Sequence, residues 1–154
     1  MHPSDRKPIE ILNTLVGVNN NRIECYNFVA TKTDISVLQV LFSRLTETSL
    51  QCREELIQEI YKLGGKPQDG TLGTREFFKA WIDVHAALSR QDHKGILESC
   101  CYEEGVVIRT YEQMMRREAD KIPGYQQQLL SRQYDVLRSD KEKVDNLMSV
   151  LVKE

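Results

Sequence analysis

The sequence predicts an all-α protein, a bundle of four long helices arranged as two hairpins with a long crossover between them. Apolar residues recur at steps of three and four along four long segments, which is the period of a helix with one buried face. Glycine and proline cluster between these segments, at residues 64–73 and 123–124. No stretch alternates apolar and polar residues for long enough to predict a strand. Helices must therefore pack on helices.

The first hairpin is predicted from about Pro8 to the glycine pair at residues 64–65. Pro8 suits a first helical turn, and the first helix should continue to about Thr31. Thr33 and Asp34 offer a cap for the second helix, which ends at the glycine pair as helices commonly do. The predicted buried faces comprise Leu12, Leu15, Val16, Ile23, Tyr26 and Ala30, and then Leu38, Leu41, Phe42, Leu45, Ser49, Cys52, Leu56, Ile60 and Leu63.

The second hairpin is predicted from Asp92, a capping residue, to the end of the chain. Its first helix ends near the charged run at residues 116–121, and its second helix begins around Pro123. The predicted faces comprise Leu97, Cys101, Glu104, Ile108, Tyr111 and Met115, and then Leu129, Gln133, Val136, Leu137, Asp140, Val144, Leu147 and Leu151.

The connection between the hairpins, at about residues 65–91, is too long for a tight turn. It contains a short amphipathic helix from about Thr74 to Ser89, marked by Phe77, Phe78, Trp81, Ile82, His85 and Leu88. Such a connection can run the length of a bundle, so that the third long helix starts at the end where the second began. A fifth antiparallel helix would use the same residues, and periodicity leaves both topologies open.

The 154 residues and 17.9 kDa suit one domain, residues 1–154, with the bundle at about 8–152. A net charge of −2 without a basic block argues against nucleic acid as a partner. We find no membrane-spanning run and no secretory signal, so we expect a cytoplasmic protein. The four cysteines, which we expect to be reduced, lack C-x-x-C spacing. They are Cys25, Cys52, Cys100 and Cys101.

Four groups of residues occur in a set order along most of the chain, from about Ile9 to Met148. They are LNTLV at 12–16, LGGKP at 63–67, KAWID at 79–83 with AAL at 86–88, and ILESC at 96–100 with Tyr111. Together they resemble a small bacterial four-helix-bundle family of unknown function within the ferritin-like superfamily. The resemblance implies the ferritin-like fold and an association with bacterial stress responses, but no established activity.

Ferritin-like di-iron sites use a glutamate from each of two helices and a Glu-x-x-His pair from each of the other two. This chain has only three histidines, His2, His85 and His93, and none lies in the second or fourth long helix. A hairpin that turns near residues 32–33 places Asn19 opposite Glu47 and Leu50. A second hairpin that turns near residue 120 places Glu103 or Glu104 opposite Leu137 and Asp140. We therefore expect no conventional di-iron centre.

Two interpretations of these inward polar residues stay open. One is a carboxylate-only site for manganese, magnesium or calcium, built from Glu47, Glu103, Glu104 and Asp140. The other is an internal hydrogen-bond cluster in which polar side chains satisfy one another and fix the helix register. Its members would be Asn19, Ser49, Gln133 and either Asp140 or Glu104.

The chain carries none of the common nucleotide-binding or hydrolase motifs, so we expect neither an enzyme nor a bound cofactor. We expect His85 to be a packed residue near Trp81 and His93 an exposed first-turn residue. The aromatic crossover helix favours a homodimer, formed through the crossover or through the flanks of the long helices. The sequence thus predicts a non-enzymatic structural or protein-interaction module. The alternative is a metal-binding or oxidative-stress protein with a carboxylate-only site.

Overall fold

The computed structural model describes residues 5–117 and 119–152, and within this part every regular element is a helix. His2 lies outside the described residues, as does the side chain of Leu151. The five α-helices are α1 (Arg6–Lys32), α2 (Ser36–Lys62), α3 (Arg75–Ser89), α4 (His93–Arg117) and α5 (Gly124–Val152), with a 3₁₀ turn at Ala119–Lys121 before α5. The four long helices and the crossover helix are therefore confirmed. No helix in the described residues is long and apolar enough to cross a membrane.

Side-chain caps set the beginning of two helices where the sequence predicted them. The hydroxyl of Thr74 accepts the backbone N–H of Phe77 at the start of α3. Asp92 accepts the N–H of Gly95 at 3.0 Å at the start of α4. The cap predicted for α2 is different, because Ile35 occupies the N-cap position and has no side-chain bond. Thr33 instead accepts the Ile35 N–H, and this contact shapes the connection between α1 and α2.

The second and third long helices begin at the same end of the bundle. One apolar cluster contains Leu38 from the start of α2 and Leu97 from the start of α4, together with Val29 from the end of α1. The crossover therefore spans the length of the bundle, and α3 packs mainly beside α4. The segment between α2 and α3 contains no helix, and α3 has only 15 residues, so the connection is a crossover and not a fifth full-length bundle helix.

Asparagine side chains on α1 hold the first part of the crossover against the bundle. Asn13 donates to the carbonyl of Lys66 at 3.0 Å and accepts the N–H of Gln68 at 2.7 Å. Asn21 makes the same pair of bonds with the backbone of Leu72, at 3.2 and 2.8 Å. Gly17 lies between them, where a Cβ atom would come within 2.8 Å of the Leu72 side chain. The absence of a side chain at Gly17 permits this close approach.

The apolar core consists of two clusters, one in each half of the bundle. Leu15, Leu56 and Val107 belong to the first cluster, and Tyr26, Phe42 and Cys100 to the second. Between the two clusters lies a layer of buried polar side chains contributed by all four long helices. This layer lies at the level where the sequence placed the candidate metal ligands.

Candidate functional site

The polar layer contains one arginine, two glutamates, one aspartate and several uncharged polar groups. Each is at most 5% exposed to solvent. The members are Asn19 and Arg22 from α1, Ser49 from α2, Glu103, Glu104 and Tyr111 from α4, and Gln133 and Asp140 from α5. Buried polar groups are costly unless they are partnered, so their hydrogen bonds define what the layer can do.

Arg22 lies at the centre of this layer and contacts the other three long helices. Its Nε and Nη2 atoms donate to the two carboxylate oxygens of Glu104 at 3.0 and 2.8 Å. Nη1 donates to the Ser49 hydroxyl at 2.7 Å, and Nη2 lies 3.3 Å from Asp140 Oδ2. Burial opposes the charge of Arg22, but Glu104 and, to a lesser degree, Asp140 outweigh this effect and raise the pKa of Arg22.

A second network lies beside the first. Asn19 donates to the Tyr111 hydroxyl at 2.9 Å, and Tyr111 donates to Gln133 at 2.8 Å. The Gln133 amide in turn donates to the backbone carbonyl of Cys52 and to Glu55 on α2, both at 3.1 Å. The predicted buried polar residues do take part in internal hydrogen bonds, but they do not bond to one another. Tyr111 connects Asn19 with Gln133, and Arg22 connects Ser49, Glu104 and Asp140.

The predicted register of the first hairpin is wrong by about one helical turn. The α1–α2 connection occupies residues 33–35. Arg22, about one turn after Asn19, contacts α2 at Ser49, and Asn19 bonds to Tyr111 on α4 instead of facing Glu47. Glu47 is consequently exposed, and Leu50 is 44% exposed. In the second hairpin, the predicted pairing of Glu104 with the Asp140 region is confirmed, since Arg22 bridges the two carboxylates.

Glu103 is directed away from the Arg22 network, towards a cavity bounded by α1, the crossover loop, α3 and α4. Only 2% of this residue is exposed, and its Oε2 has no hydrogen-bond partner among the described residues. Burial, reinforced by the nearby negative charge of Glu104, raises the pKa of Glu103 to about 8. The carboxyl group is therefore largely protonated at neutral pH.

The residue that sequence reasoning missed is Arg22. It follows Asn19 by three positions and precedes Tyr26 by four, so it lies on the same helix face as both, whereas the sequence prediction placed Ile23 on that face. An arginine is rarely buried unless it is paired. The available signal was the pair of acids on the predicted inner faces of two other helices, Glu104 and Asp140, which together require a cation.

The four cysteines form no disulfide bond, and three of them are buried. Burial raises the pKa of Cys52 to about 12 and also raises the pKa of Cys100. Cys25 has a thiol neighbour in Cys100, and this contact together with burial raises its pKa well above the ordinary value. Protonated thiols are weak nucleophiles and weak metal ligands.

The two described histidines lie away from the polar layer. The ring of His85 stacks on Phe28 and is tilted against Trp81, in both cases with 4.1 Å between ring centroids. The predicted packed position of His85 is confirmed. His93 is the first residue of α4 but is half-buried rather than exposed.

A family model for a domain of unknown function (DUF2383) matches residues 7–117, which is more than half of the chain. The chain belongs to the DUF2383 family. The match begins in α1 and ends at the last residue of α4, so it covers both networks except for the residues on α5. The predicted relationship to a family of unknown function is confirmed. A search of curated proteins gives no match for this DUF2383 chain.

Among solved structures, the DUF2383 chain is similar to a crystal structure described as "ferritin like, diiron-carboxylate proteins" from Bacillus anthracis str. Ames. The TM-score is 0.67 at 21% identity, over 96% of this chain and 99% of that chain. A likeness at this identity shows the fold. The ferritin-like all-α fold predicted from the sequence is therefore confirmed.

The ferritin-like fold raises the question of whether the DUF2383 polar layer fits a pair of metal ions. Both carboxylate oxygens of Glu104 accept hydrogen bonds from the Arg22 guanidinium, and Asp140 accepts a third from the same group. Glu103 faces the cavity instead, and Glu47 is exposed. Within residues 5–117 and 119–152, no three His, Cys, Asp or Glu side chains are grouped so that they could hold a metal ion. The donor set does not fit a di-metal centre, because the Arg22 guanidinium already binds Glu104 and Asp140 and the other two candidate carboxylates are directed elsewhere.

Proposed function

We propose that this protein is a non-enzymatic ferritin-like module with a structural or protein-interaction role in the bacterial cytosol. The observation that carries the proposal is the Arg22 network, in which one side chain from α1 contacts α2, α4 and α5. A guanidinium held in this way supplies the positive charge that the buried carboxylates need. The four helices are then joined without a metal ion.

The chemistry of the surrounding groups also supports a role without catalysis. A nucleophile needs a lowered pKa or an adjacent base, but Cys25, Cys52 and Cys100 all have raised pKa values. The hydroxyl of Ser49 accepts a hydrogen bond from Arg22, and the nearest carboxylates are bound to the same arginine. The association with stress responses that the family resemblance implies stays a prediction.

The partner that we propose is a second copy of this chain, bound through the outer face of α3. Phe78 is 63% exposed and Ile82 is 49% exposed, four residues apart on one side of the helix. Lys79 and Asp83 form a 2.6 Å ion pair on the neighbouring side of the helix, where Lys79 lies over the Tyr102 ring of α4. If two copies of α3 pack antiparallel about a two-fold axis, Phe78 of one copy meets Ile82 of the other. The apolar face can thus be covered by a second copy of itself.

Elemental analysis of untagged protein, purified without chelators, tests the absence of a metal centre. We expect iron, manganese and zinc each to be far below one equivalent per chain, both as purified and after incubation with ferrous iron and desalting. Stoichiometric iron or manganese would contradict the proposal and favour the carboxylate-only site.

Light scattering on a size-exclusion column tests the dimer. We expect twice the chain mass for the wild type and a monomer for Ile82→Ser. Tyr61→Ser is the control, because Tyr61 is 64% exposed on α2, away from the proposed interface. A monomeric wild type at high micromolar concentration would contradict self-association.

A further inference from the structure

We propose that the cavity between α1, the crossover loop, α3 and α4 is a binding site for a small organic ammonium compound with an aromatic or similarly apolar body. This inference goes beyond the proposed structural role, because it assigns a ligand to a site that the Arg22 network does not use. It depends on the shape of the cavity, the chemistry of its walls and the position of one buried carboxyl group.

The cavity has a volume of about 260 Å³. This is just below the range of roughly 300–1,000 Å³ that is typical of small-molecule sites, so the cavity suits a compact ligand. One wall is aromatic, with Phe77 and Trp81 of α3. Leu72 from the crossover loop adds apolar surface. An apolar body with a ring would be desolvated between these side chains.

The polar end of the cavity is acidic. Glu103 lines it from α4, and its Oε2 is buried without a hydrogen-bond partner among the described residues. A buried carboxyl oxygen without a partner is costly in a native structure and indicates that another group completes its hydrogen bonding. Glu24, which is exposed on α1, lines the same cavity. A ligand can therefore meet one acidic group inside the cavity and another towards solvent.

The charges around Glu103 favour a cationic ligand over a neutral or anionic one. No lysine, arginine or histidine is found among the described residues that line the cavity. Arg22 acts on Glu103 from α1, but its guanidinium is bound to Glu104. The Cys25 thiol lies beside the Glu103 carboxyl as a weak donor. The other titratable groups that face Glu103 are Tyr26 and Glu24 from α1 and Cys100 and Glu104 from α4.

An ammonium group would satisfy Glu103 in two ways. It donates hydrogen bonds to the carboxyl oxygens, and it supplies the positive charge that stabilises the ionised carboxylate in a buried position. The faces of Phe77 and Trp81 would stabilise the same cation through their electron-rich surfaces. An alcohol of the same shape would supply only one of these contributions, and a carboxylate would be repelled.

A titration with three matched probes tests this proposal at fixed pH. The probes are phenethylamine, phenethyl alcohol and hydrocinnamate, which share a phenyl ring and differ in the charge of the end group. Trp81 is the only tryptophan in the chain, so its fluorescence reports directly on the cavity wall. We expect saturable binding of phenethylamine at least tenfold tighter than that of phenethyl alcohol, and no saturable binding of hydrocinnamate.

Two variants show which carboxyl group is responsible. Glu103→Gln retains the shape of the side chain and removes its charge, and we expect it to weaken phenethylamine binding at least tenfold with little change for the alcohol. Glu98→Gln is the control, since Glu98 is exposed on the same helix and pairs with Lys94. Helicity measured by circular dichroism verifies that each variant is folded.

Four results would each overturn the proposal. In the probe titration they are equal affinity for amine and alcohol, tighter binding of hydrocinnamate, and no binding of phenethylamine. With the variants, the result is unchanged amine binding by Glu103→Gln.

Discussion

The guanidinium of Arg22 on α1 and the carboxylate of Glu104 on α4 form a two-point ion pair in the interior of the bundle, at 2.8 and 3.0 Å. Neither side chain is in appreciable contact with solvent. Parallel two-point geometry is specific to arginine, because a lysine offers a single ammonium group. The pair therefore fixes the register of α1 against α4 as well as balancing charge.

Removing only the arginine should be strongly destabilising. Arg22→Leu leaves the Glu104 carboxylate buried without its partner, for which we expect a loss of about 3–5 kcal/mol in the free energy of unfolding. The double variant Arg22→Leu with Glu104→Leu should recover most of this loss, because an apolar pair of similar size carries no uncompensated charge. Urea unfolding followed by circular dichroism at neutral pH measures all three proteins.

The matched control for this prediction is the ion pair between the exposed Arg132 and the half-buried Glu55, at 3.1 Å. Arg132→Leu should cost less than about 1 kcal/mol, because solvent screens the charge and the pair is formed at an entropic cost. If Arg22→Leu cost no more than Arg132→Leu, the central ion pair would have no special role.

The buried Glu103 predicts an unusual dependence of stability on pH. Its pKa rises from 4.5 to about 8 on folding, mainly because burial disfavours the charged form. Between these two values the unfolded chain releases the proton and the folded chain retains it, so stability falls as pH rises, by up to about 1.4 kcal/mol per pH unit. Below pH 4.5 and above pH 8 this group contributes no slope.

Glu103→Gln should remove this contribution. The difference in unfolding free energy between the variant and the wild type should grow in favour of the variant from about pH 5 to pH 8 and then become constant. Urea unfolding at several pH values measures it. Glu98→Gln, at an exposed position on the same helix, should instead run parallel to the wild type. A Glu103→Gln curve that also ran parallel would show that Glu103 is not protonated in the folded protein.

Much of the fold is predictable from the sequence because its determinants are local. The helix period, the cap at Asp92 and the glycine pair after α2 each act within a few residues. The crossover helix from about Thr74 to Ser89 is predicted on the same basis. The extended first part of the crossover depends instead on contacts distant in sequence, such as those of Asn13 and Asn21 on α1 with the backbone of residues 66–72. Periodicity contains no information about such contacts.

The centre of the bundle is predictable only in part. The sequence places Glu104 and Asp140 inside correctly, but a hairpin register estimated from the position of its turn carries an error of about one helical turn, and it places the exposed Glu47 inside as well. That error is enough to place Asn19 opposite Glu47 when the contact with α2 is made by Arg22 at Ser49. The role of Arg22 also depends on Glu104 and Asp140, which follow it by 82 and 118 positions. The cavity at Glu103 arises from the way α3 and the loop cover α1 and α4, which no pattern in the sequence describes.

The asparagine contacts along the crossover predict a local change in hydrogen exchange. Asn21→Leu removes both bonds to the Leu72 backbone, so the Leu72 N–H, which donates to Asn21 at 2.8 Å, loses its acceptor. We expect this amide to exchange at least tenfold faster, with a loss of about 1–2 kcal/mol in stability. Asn20→Leu is the control, because Asn20 donates to the carbonyl of Gly70 and its replacement leaves the Leu72 amide bonded. Equal effects of the two variants on the Leu72 amide would contradict the assignment.

The close approach of the crossover to α1 predicts opposite effects for two glycine-to-alanine substitutions within helices. At Gly17, the added Cβ would lie 2.8 Å from side-chain atoms of both Gln68 and Leu72. These side chains or the loop that carries them must move away, and we expect a loss of about 1–3 kcal/mol in the free energy of unfolding. At Gly105 on α4, the nearest atom is the tip of Arg109, 3.2 Å away on an exposed, flexible side chain. Gly105→Ala should therefore stabilise the protein by up to about 1 kcal/mol, since alanine is the better helix former. Urea unfolding distinguishes the two, and a stabilising Gly17→Ala would show that the loop does not pack on α1.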